Sequence, residues 1–163
     1  MHQQVAKLSH RSYDTKYHGG ESMAKILVVD DELSIRMGIR EFAEYQGYKV
    51  EEAANGKEAV ERCRQKDFDI IIMDIMMPEM DGYEVLQHLK SNPETNNIPV
   101  IIMSALSDMQ SIVKGYQLGA TEYVTKPFQR EELVKRVAHR YELFSIKRIK
   151  QELENTIESR DTL

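Results

Sequence analysis

The sequence has few of the features that mark secreted or membrane-spanning proteins. Cys63 is the only cysteine among 163 residues, so an internal disulfide bond is impossible, which fits a reducing compartment. No apolar run approaches the ~18 residues that a membrane span requires, and the first residues lack the apolar stretch of a secretory signal. We therefore expect a cytoplasmic protein that does not insert into membranes, with Cys63 packed as a small hydrophobic residue in a helix.

The chain also lacks an excess of positive charge. It has 22 Lys and Arg residues against 27 Asp and Glu residues, for a formal net charge of -5, so no broad surface for direct binding of nucleic acid is expected. Charged residues make up 30% and hydrophobic residues 41% of the chain, which is ordinary for a globular protein. The length suggests one domain with an appendage.

The residue pattern divides the chain into three segments. Residues 1–22 are polar and predict an N-terminal arm. Residues 24–143 alternate short apolar runs with stretches of helical periodicity, which predicts an α/β domain of five parallel strands and five helices. Residues 144–163 continue the last helix, because no Gly or Pro occurs between Glu131 and Arg160, and they form a helical extension or linker.

The helical extension has a weak heptad pattern. Ile146, Ile149, Leu153 and Thr156 make a/d-like steps among mixed charges, although two heptads are fewer than the ~3–4 that identify a coiled coil. We expect this helix to form a homodimer or to transmit a signal. The alternative is an amphipathic tail that folds back on its own domain.

Four short apolar runs each lead into polar side chains. Runs rich in Val and Ile are typical of strands buried on both faces of a parallel sheet, and the carboxyl ends of such strands share one edge, where open α/β sheets place their sites. Carboxylates that close repel each other unless a cation joins them, so the pattern predicts a divalent metal and a reactive aspartate. The runs are Ile26–Val29 before Asp30 and Asp31, Ile70–Met73 before Asp74, Val100–Met103 before Ser104, and Tyr123–Thr125 before Lys126.

Four motifs, in this order and at these separations, resemble the response-regulator receiver domain of two-component signalling. The resemblance covers residues 24–143 and implies a flavodoxin-like (βα)5 fold with strand order 2-1-3-4-5 and a regulatory role rather than an enzymatic one. The chain would be a single-domain regulator or the receiver of a longer protein, such as a hybrid kinase. The motifs are Val28-Val29-Asp30-Asp31-Glu32, the segment from Met73 to Gly82, Ser104-Ala105, and the segment from Tyr123 to Phe128.

The resemblance implies a role for each polar residue at the strand ends. Asp74 would accept a phosphoryl group, since a carboxylate can form a covalent acyl phosphate. Asp30, Asp31, Asp74 and the backbone carbonyl of Met76 would hold Mg²⁺, for which Mn²⁺ can substitute, with Asp30 acting mainly through water. Binding of the metal would offset the repulsion among the carboxylates.

Further residues would sense the phosphoryl group and respond to it. Ser104 would donate its hydroxyl and Lys126 its ammonium to the phosphoryl oxygens. Tyr123 resembles the aromatic residue that turns inward when the hydroxyl residue moves, although a half-buried strand residue is the alternative. Pro127 resembles the family's cis proline. The response would shift the face formed by the fourth helix, the fifth strand and the last helix, together with the helical extension.

The resemblance also implies partners and disfavours other functions. The donor would be a sensor histidine kinase or a phosphotransfer protein, and the helical extension would be the surface for a homodimer. An aspartate-nucleophile phosphohydrolase is the alternative, but it needs an acid two residues after Asp74, where the chain has Met76. A flavin- or nucleotide-binding module is disfavoured because Asp30 and Asp31 follow the first strand and repel phosphate.

Three further residues suggest finer properties of the domain. Met76 and Leu106 are apolar and lie two residues after Asp74 and Ser104, so we expect them to shield the phosphoryl group from water. Gly115 lies in the middle of the fourth predicted helix, where glycine costs about 1 kcal/mol relative to alanine, which predicts a soft helix.

Overall fold

Five strands and five helices alternate along residues 24–162, the part of the chain that the computed structural model describes. The arm predicted for residues 1–22 lies outside the described residues. All five strands and all five helices predicted from the residue pattern are present. In order they are β1 (Lys25–Val29), α1 (Leu33–Tyr45), β2 (Lys49–Ala53), α2 (Gly56–Gln65), β3 (Ile70–Asp74), α3 (Gly82–Ser91), β4 (Val100–Ser104), α4 (Met109–Gln117), β5 (Glu122–Thr125) and α5 (Arg130–Asp161).

The five strands form one parallel sheet in the order β2-β1-β3-β4-β5. Every residue of β3 and β4 is buried, because helices cover both faces of the sheet. β2 lies at one edge of the sheet and carries the half-buried Glu51 and Glu52. The strand order and the flavodoxin-like fold are those implied by the resemblance.

Alternate residues of each strand enter two separate hydrophobic cores. Leu27 and Ile71 point to the face that α2, α3 and α4 cover. Their neighbours Ile26 and Ile72 point to the opposite face, where α1 and the first part of α5 pack. Because side chains of a strand alternate between its faces, continuous apolar runs are required in the central strands β1, β3 and β4, where polar residues occur only at the strand ends.

Side-chain caps determine where three helices begin beside the sheet edge. The side chain of Asn55 accepts a hydrogen bond from the backbone N–H of Glu58 at 2.8 Å, and Asp81 accepts one from Glu84 at 2.9 Å. Asp108 caps α4 in the same way through the N–H of Ser111 at 3.0 Å. Each carboxylate or amide satisfies a backbone donor that the first helical turn leaves free.

The last helix extends well beyond the domain core. α5 has 32 residues, which gives a length of about 48 Å. Leu133, Val134 and Val137 bury its first part against the sheet, whereas residues 151–162 are exposed on every side. Among the described residues, no helix combines the length and apolar character needed to cross a membrane.

Gly82 allows α3 to begin in contact with the backbone at the end of β3. A Cβ atom at this position would lie 2.4 Å from the backbone oxygen of Asp74 and 2.8 Å from the Cα of Ile75. The N–H of Gly82 donates to the carbonyl of Ile75 at 2.9 Å, which holds the two segments together. The close approach therefore requires glycine for steric reasons.

We expect Gly82→Ala to lower the free energy of unfolding by about 1–3 kcal/mol, because the added methyl group must displace backbone rather than a side chain. Urea unfolding followed by circular dichroism measures the change. Gly38→Ala in α1 is the matched control, since its Cβ would meet only the Arg130 side chain at 3.4 Å. Equal stability of Gly82→Ala and the wild type would contradict the steric assignment.

Candidate functional site

Three aspartates converge at the carboxyl edge of the sheet. Asp30 follows β1 and Asp74 ends β3, and these two strands are adjacent, with Val29 paired to Met73. One carboxylate oxygen from each of Asp30, Asp31 and Asp74 lies within 4.8 Å of the others. Asp30 is fully buried and Asp74 is 4% exposed, whereas Asp31 is exposed. The carboxylate cluster is therefore open to solvent on the Asp31 side.

Lys126 is the cation that the structure places among these carboxylates. Its Nζ donates to Asp30 Oδ2 at 2.9 Å and to Asp74 Oδ2 at 3.1 Å. Its backbone N–H donates to the carbonyl of Ser104 at 2.8 Å, and the Lys126–Pro127 peptide bond is cis, the geometry implied by the resemblance. Burial alone would lower the pKa of Lys126, but the hydrogen bonds to Asp30 and Asp74 and the negative charges of these carboxylates together outweigh it and raise this pKa above its usual value.

The environment of Asp74 disfavours its charged form. Burial raises the pKa of Asp74, the hydrogen bond from Lys126 and its positive charge oppose this, and the neighbouring charge of Asp30 raises the pKa further. The N–H of Met76 donates to Asp74 Oδ1 at 3.3 Å and favours the ionised form. The net result is a pKa above the usual value for a carboxyl group.

The carboxylate cluster fits a hard divalent cation. It offers three carboxylate oxygens at close range, and Lys126 supplies one positive charge against three negative ones. The N–H of Glu32 donates to Asp30 Oδ1 at 2.9 Å, which orients this buried carboxylate. Oxygen ligands of this type suit Mg²⁺, which keeps several waters and needs only a few carboxylates.

Ser104 ends β4 at the same edge, and Tyr123 lies within the neighbouring strand β5, where it is paired with Ile102. Ser104 is fully buried at the end of β4, and its Oγ accepts a hydrogen bond from the N–H of Leu106 at 3.1 Å. The Tyr123 hydroxyl donates to the carbonyl of Leu106 at 2.6 Å. Burial raises the pKa of Tyr123, and a hydrogen bond with the Ser104 side chain opposes this rise. Both side chains therefore form hydrogen bonds with the backbone of Leu106, in the loop between β4 and α4.

Two contacts beside the site involve residues that the motifs did not identify. The Tyr83 hydroxyl donates to the carbonyl of Ser111 at 2.9 Å, and Lys114 Nζ lies 4.4 Å from the centre of the Tyr83 ring. Arg140 pairs with Glu122 at 3.4 Å, which joins α5 to β5. No local motif signals either contact, because each depends on the packing of elements far apart in the sequence.

Cys63 has a structural role, as expected. It lies on α2, half-buried against the core that α2, α3 and α4 share with the sheet. Burial raises its pKa to about 11, so the thiol stays neutral near pH 7 and is a poor nucleophile. Cys63 does not belong to the carboxylate cluster, which in the described part of the chain consists of Asp30, Asp31 and Asp74.

Comparison with known proteins identifies related sequences and structures. Residues 26–138 match the family model of the response regulator receiver domain. A probable transcriptional regulator ycf27 of Guillardia theta is 40% identical over 117 residues, which are 72% of this chain and 45% of the relative. The transcriptional regulatory protein ResD of Bacillus subtilis is 39% identical over 113 residues, covering 69% of this chain and 46% of ResD. The chain thus spans about half the length of the curated relatives it matches.

Solved structures share the same architecture. The chemotaxis response regulator CheY4 of Vibrio cholerae is 34% identical with a TM-score of 0.70, covering 73% of this chain and 99% of that one. The receiver domain of the Francisella response regulator 1452 is 37% identical with a TM-score of 0.69, covering 73% and 97% of the two chains. The strand order, the carboxylate cluster and these matches agree, and the chain belongs to the family of response regulator receiver domains.

Proposed function

We propose that Asp74 is the phosphoryl acceptor of this receiver domain and that a histidine kinase or phosphotransfer protein is the donor. The observation that carries the proposal is the position of Asp74 in the carboxylate cluster, ion-paired to Lys126 through Oδ2. A carboxylate oxygen of Asp74 attacks phosphorus and forms a P–O bond. The P–N bond of the donor phosphohistidine breaks, and the leaving imidazole keeps the electron pair.

Asp30, Asp31, Asp74 and the backbone carbonyl of Met76 would hold the Mg²⁺ that the transfer requires, and Mn²⁺ can substitute. The metal, when bound, supplies charge neutralisation for the transferring phosphoryl group. Asp30 is buried and oriented by the N–H of Glu32, and it would act mainly through water, as the resemblance implies. Asp31 is exposed and would be the ligand of the metal that is open to solvent.

Ser104 and Lys126 would detect the phosphoryl group. Lys126 Nζ already bridges Asp30 and Asp74, so it can follow the negative charge when this charge moves outward onto phosphoryl oxygens. The Ser104 hydroxyl would donate to another phosphoryl oxygen. Because the Oγ of Ser104 also accepts from Leu106, its reorientation would change the loop that carries Leu106.

Tyr123 would carry the change to the output surface formed by α4, β5 and α5. Its hydroxyl contacts the carbonyl of Leu106, and its neighbour Glu122 is paired to Arg140 on α5. β5 therefore connects the loop beside the site with the helix that leaves the domain. A shift of β5 would move α5 at the point where the helical extension begins.

The first test is the addition of one phosphoryl group, read by intact mass after incubation with a small phosphodonor and Mg²⁺. We expect a single addition in the wild type and none in Asp74→Asn, which removes the nucleophile. Asp81→Asn is the matched control, because asparagine also caps helices and Asp81 lies outside the carboxylate cluster. An unmodified wild type that is folded would contradict the proposal.

The second test concerns the lifetime of the phosphorylated state. Met76 is 56% exposed, and Leu106 is half-buried against the core. We expect the double variant Met76→Asn with Leu106→Glu to lose phosphate about three- to tenfold faster, because polar side chains admit and orient water at the site. A chase experiment after removal of the phosphodonor measures the decay.

Met37→Asn is the control for this lifetime, because Met37 has the same exposure, 56%, as Met76 and lies on α1. Its decay should match that of the wild type. An unchanged decay in the double variant would contradict the shielding role of Met76 and Leu106.

Met76 also bears on turnover, because its side chain offers no acid that could transfer a proton two residues after Asp74. The absence of such an acid at this position favours storage of a signal over rapid turnover.

The third test concerns Gly115 and Tyr123. A Cβ at Gly115 would lie 3.0 Å from Ile102 Cδ1 and 3.2 Å from the Tyr123 ring, so glycine provides space for the ring. We expect Gly115→Ala to displace Tyr123 from Leu106, and to weaken the chemical-shift changes in β5 upon phosphorylation, while phosphorylation itself persists. Gly38→Ala is the control, and equal shift changes in the two variants would contradict the role of Gly115.

A further inference from the structure

The second half of α5 is a helix surface without a partner among the described residues. Four apolar side chains in this part of the helix are 44–58% exposed, namely Leu143, Ile146, Leu153 and Ile157. Together with Lys150 they follow one another along the helix at alternating steps of three and four residues. We call these five residues the exposed stripe. The stripe differs from the heptad register predicted from the sequence. That register shares Ile146 and Leu153 with the exposed stripe, but it also includes Ile149, which is half-buried. The exposed apolar face of the helix is therefore not the one that the heptad pattern predicts.

The charges of this half-helix are separated along its length. Residues 145–151 carry a net charge of +3, and residues 152–161 carry -3 from four carboxylates and one guanidinium. In the described part of the chain, none of these side chains forms an ion pair. The basic residues are Lys147, Arg148 and Lys150, and the others are Glu152, Glu154, Glu158, Arg160 and Asp161.

The stability of an isolated helix does not explain this order of charges. Lys150 precedes Glu154 by four residues, which is the less favourable orientation of such a pair. A second helix of complementary charge would explain why basic and acidic residues are separated along this half of α5.

We propose that the exposed stripes of two copies of this chain pair as an antiparallel coiled coil. The basic half of each helix then lies against the acidic half of the other. Ile146 packs on Ile157 of the partner subunit, and Lys150 lies beside Leu153 of the partner subunit. Lys147 faces Glu154 of the partner subunit, and two-fold symmetry repeats this contact. Antiparallel pairing thus uses both the apolar stripe and the charges.

Parallel pairing of the same stripe is electrostatically unfavourable. It would bring the basic halves together and the acidic halves together, and would place the two Lys150 side chains opposite each other at a core position. The overlap spans only about two heptads, so the interface is smaller than the ~1,200 Å² of typical stable complexes. The dimer should therefore dissociate on dilution and weaken at high salt.

Disulfide trapping tests the orientation directly. Ile146→Cys and Ile157→Cys, each in the full chain with Cys63→Ala, are mixed in a glutathione redox buffer and analysed by mass. Antiparallel pairing predicts a 146–157 mixed disulfide in excess of both homodisulfides. Asn155→Cys, on the side of the helix away from the exposed stripe, is the control for random collision. Dominant homodisulfides, or no enrichment over this control, would overturn the proposal.

Sedimentation equilibrium of the full chain with native Cys63 provides an independent test. We expect Lys147→Glu to weaken self-association about tenfold, since it makes two contacts repulsive, and the double variant Lys147→Glu with Glu154→Lys to restore it. A parallel pair would not be restored by the second change, because positions 147 and 154 do not face each other there.

A wild type that remains monomeric at about millimolar concentration, or an unaffected Lys147→Glu variant, would overturn the proposal. The exposed stripe uses no residue of the carboxylate cluster, so the pairing can be measured without phosphorylation. A loss of pairing and a loss of phosphoryl acceptance are therefore separate results.

Discussion

The ion pairs of Lys126 with Asp30 and Asp74 are the interaction on which the arrangement of the site depends. Two carboxylates in a buried position on adjacent strands would repel each other without a nearby cation. Lys126 reaches them from the end of β5, across β4, at 2.9 and 3.1 Å. One side chain thereby connects β1, β3 and β5 at the edge of the sheet. Any change in the charge of Asp74 must redistribute the contacts of Lys126.

The domain combines a rigid sheet with more adaptable segments beside the carboxyl edge of the sheet. β3 and β4 are buried throughout, so their ends hold the backbone of Asp74 and Ser104 in place with little freedom to move. These adaptable segments are held by a few polar contacts, such as Tyr123 with Leu106 and Tyr83 with Ser111. Such contacts can be exchanged at low cost, and they lie between the carboxylate cluster and the surface of α4 and β5.

Much of the fold and of the candidate site could be predicted because their signals are local. A buried strand demands an unbroken apolar run, so the polar residue that ends it is conspicuous, as at Asp30, Asp74 and Ser104. Asp81 could be identified as a cap from its position before a helix. Tyr83 and the pair of Glu122 with Arg140 could not be found in this way, because their partners are distant in sequence. Gly115 suggested only a soft helix, whereas the structure places the Tyr123 ring and Ile102 against it.

The sequence by itself determined the alternation of strands and helices, the parallel sheet and the residues at its carboxyl edge, since these follow from periodicity and from the burial of apolar runs. Only the tertiary structure decided which side chains meet there and in what geometry. It also decided which face of α5 remains open, because burial of Ile149 and exposure of Ile146 depend on how the helix leaves the domain. Periodicity indicates that a helix has an apolar stripe, but packing against the rest of the chain determines which part of that stripe is still available to a partner.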